Sequence, residues 1–392
     1  MRLGIAIAAA ALCLGCQFPT CPPARSRPGA TESVLPWLEP TRPRVEIVHS
    51  GAVHKALLDT GFPRSSIAVP SVDPGFFPIS TSVALGGATV APVSFDVIPI
   101  AAPGLDMIIG ADVLTAVPLV MDARAAETRV LLDFTPEPGA APLERWSAEL
   151  CRGGSPDNGP EGPDLFLVEA NLDGVPLTLV LDTGADITLV RQDALVGLSS
   201  RPSLSGLPVH TAFAGDFTAT ITRARTLSVG NQSSAASPVL VSPQIDQGLD
   251  ELLRRFPAGG PEQLDGALGW SFLREFEVSL ALGEDELTDR ELGLTRFDTQ
   301  THWSRDFVGV GIATRESPIP SGLQIVAFLS NSPARDAGLQ IGDVIISVGG
   351  EPALGLRQPW GNPGEVVQIG FQRPGTNAAT APVTIADLLP DP

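Results

Sequence analysis

Leu-Asp-Thr-Gly stands twice in this 392-residue chain, at residues 58–61 and again at 181–184. Each copy follows an apolar run, in VHKALLDTGFPRSSIAV and in VPLTLVLDTGADITLV, so each reads as strand, tight turn, strand. Each is answered downstream by two apolar residues and a glycine, Ile108-Ile109-Gly110 and Ala267-Leu268-Gly269. A short helix-like piece follows (ADVL; WSFL), then a hairpin-like pair. One Asp-Thr-Gly is an ordinary β-turn, whereas two in matching context form an internal repeat, which is a property of the whole fold. Such a repeat can bring two aspartates face to face. Two carboxyls a few Å apart cannot both stay ionised and share a proton. The ionised member can take a proton from water while the protonated member polarises a carbonyl.

These motifs resemble the aspartic peptidases of the retropepsin/pepsin kind, with both halves on one chain. The resemblance implies a mainly β protein with a two-lobed acid-protease β-barrel fold. It implies a dyad of Asp59 and Asp182, with Thr60 and Thr183 bonding across the interface. Gly61 and Gly184 would let backbone approach the carboxyls, and Gly110 and Gly269 would pack behind each loop. No metal and no cofactor are implied.

Composition fits strands and turns, with 38 prolines and 40 glycines. The net charge of −19 argues against nucleic acid, which requires a basic surface. There is no tyrosine, so the flap tyrosine of pepsin-like enzymes is not available. The four histidines are scattered, and no Cys/His spacing suggests a metal site. At the N-terminus, Arg2 precedes an apolar run ending Cys13-Leu14-Gly15-Cys16. This resembles a bacterial lipobox with Cys16 as the lipidated residue, although Cys13 stands where Leu is usual. Ordinary signal-peptidase cleavage is the alternative. Gln17 after the cysteine implies, by analogy, an outer-membrane lipoprotein facing the periplasm, or an exported protein. Cys21 and Cys151 are then either a disulfide or two free thiols.

The expected organisation is a signal peptide over 1–16, a Pro-rich tether over 17–43, a first lobe over 44–134 and a linker over 135–162. A second lobe over 163–300 and a third module over 306–392 follow. The linker suggests one short helix at LERWSAEL. The third module, with VGVGI, SPARDAGLQIGDVIISVGGEP and VVQIGFQRPG, resembles a PDZ domain of the bacterial protease type, a small α+β fold. In such domains a peptide adds a strand beside the segment that Gly309, Val310, Gly311 and Ile312 occupy here, and backbone amides hold its terminal carboxylate. The helix that normally walls the groove is replaced by PALGLRQPWGNPG, whose Pro359, Gly361 and Pro363 argue against a regular helix, and the alternative to peptide binding is a structural module that docks on the peptidase lobes.

The lobes are unequal. Asp182 lies 87 residues before Gly269, and Asp59 only 51 before Gly110. The excess holds PVHTAFAGDFTATITRARTLSVGN, an alternating pattern with a turn at Ala214-Gly215-Asp216, which reads as a flap hairpin or as one packed on the barrel. The first lobe offers SVALGGATVAPVSFDVIPI, whose Gly86-Gly87 turn aligns with the hairpin after the flap, so its flap is reduced or missing. Phe62 stands where a small residue is expected and would crowd or line the cleft. Neither Phe62 nor Ala185 can donate a hydroxyl to the dyad, which predicts activity in mild rather than strong acid. The functional expectation is a monomeric envelope endopeptidase acting on peptide or protein substrates, held to the membrane by a lipid anchor. The alternatives are a non-catalytic peptide- or protein-binding lipoprotein with a degenerate fold, and lobes that each pair with the same lobe of another chain.

Overall fold

In a computed structural model the described residues are 6–7, 25–27, 32–38, 42–62, 65–68, 79–86, 88–98, 105–114, 117–131, 141–147, 164–195, 201–211, 215–254, 256, 261–281, 291–297, 308–318, 320–354 and 360–389. Cys16, Cys21 and Cys151 lie outside them, as do Ala214 and Pro359.

The internal repeat is written in the strand pairings. Arg44–His49 and Ala52–Leu58 form an antiparallel hairpin, as do Asp164–Leu172 and Val175–Leu181. Both turn on two residues of positive φ, Ser50-Gly51 and Asp173-Gly174, whose twist suits a two-residue hairpin. The strand entering each Asp-Thr-Gly then pairs in parallel with the strand before the answering glycine, Ala52–Leu58 with Met107–Ile109 and Val175–Leu181 with Gly266–Leu268. The strand leaving each turn does the reverse. Ser66–Ala68 runs antiparallel to Met107–Ile109 and parallel to Ala88–Ile98. Thr188–Val190 runs antiparallel to Gly266–Leu268 and parallel to Pro238–Val241. Two equivalent half-barrels result, each closed by one turn of helix, Ala111–Leu114 and Trp270–Leu273.

The two halves meet in a shared antiparallel layer. The hairpin Leu119–Asp122/Glu127–Leu131 of the first lobe pairs edge to edge with Phe276–Ala281/Glu291–Arg296 of the second, Leu119 opposite Leu280. Two segments outside the repeat extend the layer. Glu32–Pro36 pairs with Glu127–Leu131, and Arg25–Arg27 pairs with Ala88–Ile98 of the first lobe, so the tether expected over 17–43 contains paired strand at both places. Ala141–Ser147 pairs with both Asp164–Leu172 and Glu291–Arg296. Over residues 143–147 the short helix expected at LERWSAEL is therefore a strand, and the rest of it lies outside the described residues. Long-range ladder bonds at two sheet edges override the local helical leaning. One apolar core, including Val45, Leu58, Met121, Leu181, Trp270 and Phe276, runs through both lobes and this layer.

The excess length of the second lobe is a hairpin and a helix. Ser203–Thr211 and Gly215–Arg223 pair antiparallel with a bulge between Leu204 and Leu207. Helix Pro243–Leu253 starts at Ser242, whose Oγ accepts from Gln244 N, with Pro243 in the first turn. Among the described residues of the first lobe there is no counterpart of the hairpin. Ile79–Leu85 and Ala88–Ile98, around Gly86, instead occupy the place of Thr226–Val229, Gln232–Ala235 and Pro238–Val241: His49 pairs with Val83 much as Leu172 pairs with Leu227.

The C-terminal module has its own core of Val310, Ile325, Ile345, Ile369 and Val383. Its strands run Ile312–Pro318, Ser321–Phe328, Val344–Val348, Val366–Gln372 and Ala378–Thr384 in sheet order. Ser332 caps the short helix Pro333–Asp336 through Arg335 N, and Gly338 leaves it at φ +87°. Among the described residues from Ala353 to Glu365 there is no helix. None of the described helices is long and apolar enough to cross a membrane.

Candidate active site

The two Asp-Thr-Gly turns meet at the centre of the lobe interface. Each aspartate is fixed by its own lobe: Asp59 N donates to Ile109 O (2.9 Å) and Asp182 N to Leu268 O (3.0 Å). The threonines then cross. Thr60 Oγ1 donates to Leu181 O (2.7 Å) and accepts from Thr183 N (3.1 Å). Thr183 Oγ1 donates to Leu58 O (2.9 Å) and accepts from Thr60 N (3.0 Å). All four bonds are buried, so each lobe satisfies backbone groups of the other that would otherwise be stranded away from water.

The carboxyls lie just above this exchange, both almost fully buried. Asp59 Oδ1 accepts from Gly61 N (2.9 Å), and Asp182 Oδ1 accepts from Gly184 N and Ala185 N (2.9 Å each). The glycines face the opposite lobe. A Cβ on Gly61 would stand 2.5 Å from Asp182 Cγ, and one on Gly184 would stand 2.1 Å from Asp59 Oδ2. These two positions must therefore lack a side chain for the carboxyls to approach each other.

Electrostatics follow from burial and proximity. Burial pushes the Asp59 carboxyl up to about 7, against hydrogen bonds from the Asp182 side chain and from backbone amides that favour its charged form. Burial also pushes Asp182 well above the ordinary carboxylate range, and the adjacent Asp59 charge adds to that shift. The pair thus holds a shared proton well above the ordinary carboxylate range.

A second tier holds the turns from behind, and motif reading missed it. In the first lobe Ser65 Oγ donates to Asp112 Oδ1 (2.8 Å) and accepts from Gly110 N (3.0 Å). In the second, Thr188 Oγ1 accepts from Gly269 N (3.1 Å) and from Ser271 Oγ (3.0 Å), while Ser271 Oγ accepts from Thr188 N. The signal was present as a hydroxyl residue shortly after each Asp-Thr-Gly and a polar residue two after each answering glycine. Gly269 itself is boxed in, since a Cβ there would stand 2.7 Å from Ala185 O.

Phe62 neither lines nor crowds an open cleft, being only 1% exposed. Its carbonyl accepts from Ala111 N, the bond that Ala185 makes with Trp270 N in the other lobe (2.8 Å each). The first lobe thus pairs a large residue with a small one, Phe62 with Ala111, and the second pairs small with large, Ala185 with Trp270. The Trp270 indole N–H donates to Thr183 O (2.6 Å). Asp186, next along the turn, forms an ion pair with Arg42 (3.5 Å).

The segment expected to take peptide in the C-terminal module lies apart from this centre. Val308–Gly309 pairs with Ala386–Asp387, Val310 O accepts from Ala334 N and Ser332 Oγ, and Gly311 O accepts from Leu329 N. Gly311 needs its φ of +72°, because a Cβ there would meet Ser332 Cα at 2.6 Å. Ile312–Pro318 ends its sheet, with one edge unpaired among the described residues.

Residues 168–272 match the family model of aspartyl proteases, and residues 324–370 match that of PDZ domains. No curated protein matches the chain. Among solved structures, the photosystem II D1 C-terminal processing protease is similar at 24% identity over 22% of this chain and 25% of its own length, with a TM-score of 0.19. That superposition is too slight to bear on fold or function. The chain therefore carries an aspartyl protease-like domain and a PDZ domain.

Proposed function

We propose that the protein is an aspartic endopeptidase in which Asp59 and Asp182 act on one water. The observation that carries this reading is the crossed threonine exchange, with two buried carboxyls above it and glycines where any Cβ would collide with them. A binding protein has no need of two carboxyls desolvated against each other, an arrangement that opposes folding at neutral pH.

The chemistry follows from one proton shared by two carboxyls. Asp59, in its ionised form, takes a proton from water as the oxygen adds to the peptide carbonyl carbon. Protonated Asp182 donates to the carbonyl oxygen, and a tetrahedral diol forms. The diol collapses as a proton passes to the amide nitrogen, the C–N bond breaks, and a carboxyl and an amine leave. The hairpin Ser203–Arg223 would cover an extended substrate, with no matching cover from the first lobe. The PDZ domain would take a peptide or protein segment at the open edge of Ile312–Pro318, with Gly309, Val310 and Gly311 at its carboxylate end. The lipobox-like Cys16 would anchor a monomer to the outer membrane, facing the periplasm.

Cleavage of a mixed peptide library from about pH 3.5 to 8 tests this directly, with Asp59→Asn and Asp182→Asn beside the parent. Cleavage by the parent that each variant lacks supports the proposal. Equal cleavage by parent and variants, or none by the parent at any pH, ends it.

A further inference from the structure

The chain before the first lobe reaches the candidate site at two points. Strand Glu32–Pro36 runs along Glu127–Leu131 of the first lobe, and Trp37 N donates to Ala126 O (2.7 Å). Trp37 then turns inward, only 8% exposed, with its indole N–H on Thr128 Oγ1 (2.8 Å). Its ring meets the Trp270 ring of the second lobe edge to face, centroids 5.3 Å apart at 72°. Trp270 in turn donates to Thr183 O, in the turn that carries Asp182. Five residues on, Arg42 pairs with Asp186 of that turn. The first lobe's equivalent of Trp270 is Ala111, so this brace acts on one side of the dyad only.

We propose that Trp37 is a positioning residue for the aspartate pair: held by Thr128 of one lobe, its ring fixes Trp270 of the other, and Trp270 fixes the Thr183 peptide. The inference rests on reading the pair as catalytic, yet its geometry can be tested without turnover. A ring that merely filled the core would affect stability alone. A ring that sets the height of the Asp182 turn also sets how closely the carboxyls approach and how dry they are. The charged groups around that turn are Arg42 and Asp186, with Arg274, Glu275 and Arg223 behind them, and on the first-lobe side Asp112. None of them is altered by the substitutions below.

The test uses the full chain with Trp37→Leu, Trp37→Phe and Thr128→Val, and with Leu38→Ser, a half-exposed neighbour, as control. Carboxyl NMR titration of Asp59 and Asp182 is read beside kcat and KM on one cleaved peptide. Trp37→Leu is expected to bring the Asp59 titration down from about 7 toward the ordinary carboxylate range. It should lower kcat about ten- to a hundred-fold with KM little changed. Thr128→Val should move both in the same direction by less, Trp37→Phe should restore most of each, and Leu38→Ser should move neither. A Trp37→Leu protein with a lowered Tm but the parent's titration and kcat overturns the proposal. If Trp37→Leu does not fold, an unshifted titration in Thr128→Val overturns it. Should the parent cleave nothing, the peptidase reading fails alone, and the titrations still decide what Trp37 does.

Discussion

Asp59 and Asp182 are carboxyls whose proton affinity in the folded protein exceeds that in the unfolded chain, because burial penalises their charge. Their contribution to stability is therefore fully present below about pH 4 and is lost as the pH rises through about 7 and beyond. Asp59→Asn should raise Tm by roughly 5 °C at pH 7.5 and leave it nearly unchanged at pH 4, as thermal melts at the two pH values would show. The raised pKa of the pair places the acid limb of kcat/KM near pH 7. A rate maximum below about pH 3.5 would contradict the burial of the pair. The missing hydroxyl after each Asp-Thr-Gly acts in the same direction, since it leaves desolvation without that opposing hydrogen bond. Thr183→Val keeps the volume but strands Leu58 O and Thr60 N, at a cost of about 1–3 kcal/mol for each buried group. Denaturant unfolding would measure that cost, with kcat falling in parallel.

The half-barrels share a backbone frame but not its side chains. Phe62 bonds Ala111 as Ala185 bonds Trp270, and both large rings are almost fully buried. Phe62→Ala should therefore cost about 3–5 kcal/mol, as a cavity inside a buried turn. A smaller loss, measured by denaturant unfolding, would mean the ring is not packed as described. These elements were legible in the sequence wherever the pattern was local. The paired Asp-Thr-Gly turns, the glycines that answer them, and the equivalence of Gly86 with the hairpin at Gly230 all follow from spacing and periodicity. Glu32–Pro36 and Ala141–Ser147 were not legible, because their strand character comes from ladders with partners about 95 and 20 residues away in sequence. Trp37 was hidden in the same way, in a Pro-rich stretch whose composition suggests a spacer.

On the scale of the whole molecule, the PDZ domain is not a pendant. Leu329, Leu388 and Leu389 join the outer core of the second lobe, beside Val209 and Ile221 of its long hairpin. Ser330 N donates to Ser205 O (3.1 Å), and buried Arg223 donates through Nε to Leu389 O (2.9 Å). The contact falls at the bulge in Ser203–Thr211, where Gly206 at φ +80° lies close to Phe328 O. Leu389→Ala should cost about 2–5 kcal/mol and raise hydrogen exchange across Ser203–Arg223, far from the substituted residue in sequence. Unchanged exchange in that hairpin would show that domain and hairpin are independent. Docking on the lobes was the alternative the broken groove helix left open, but no motif singled out Leu388 and Leu389 as its contacts.

The central claim is that one chain assembles one dyad from both lobes. Its most direct measurement is hydrolysis of a single cleaved peptide by the parent, by Asp59→Asn, by Asp182→Asn, and by an equimolar mixture of the two variants. With both lobes paired within one chain, the parent cleaves, and both variants and their mixture lose all but a trace of the activity. Recovery of activity on mixing would mean that lobes pair between chains. Parent-like activity in either variant alone would mean that the aspartates are not the catalytic pair.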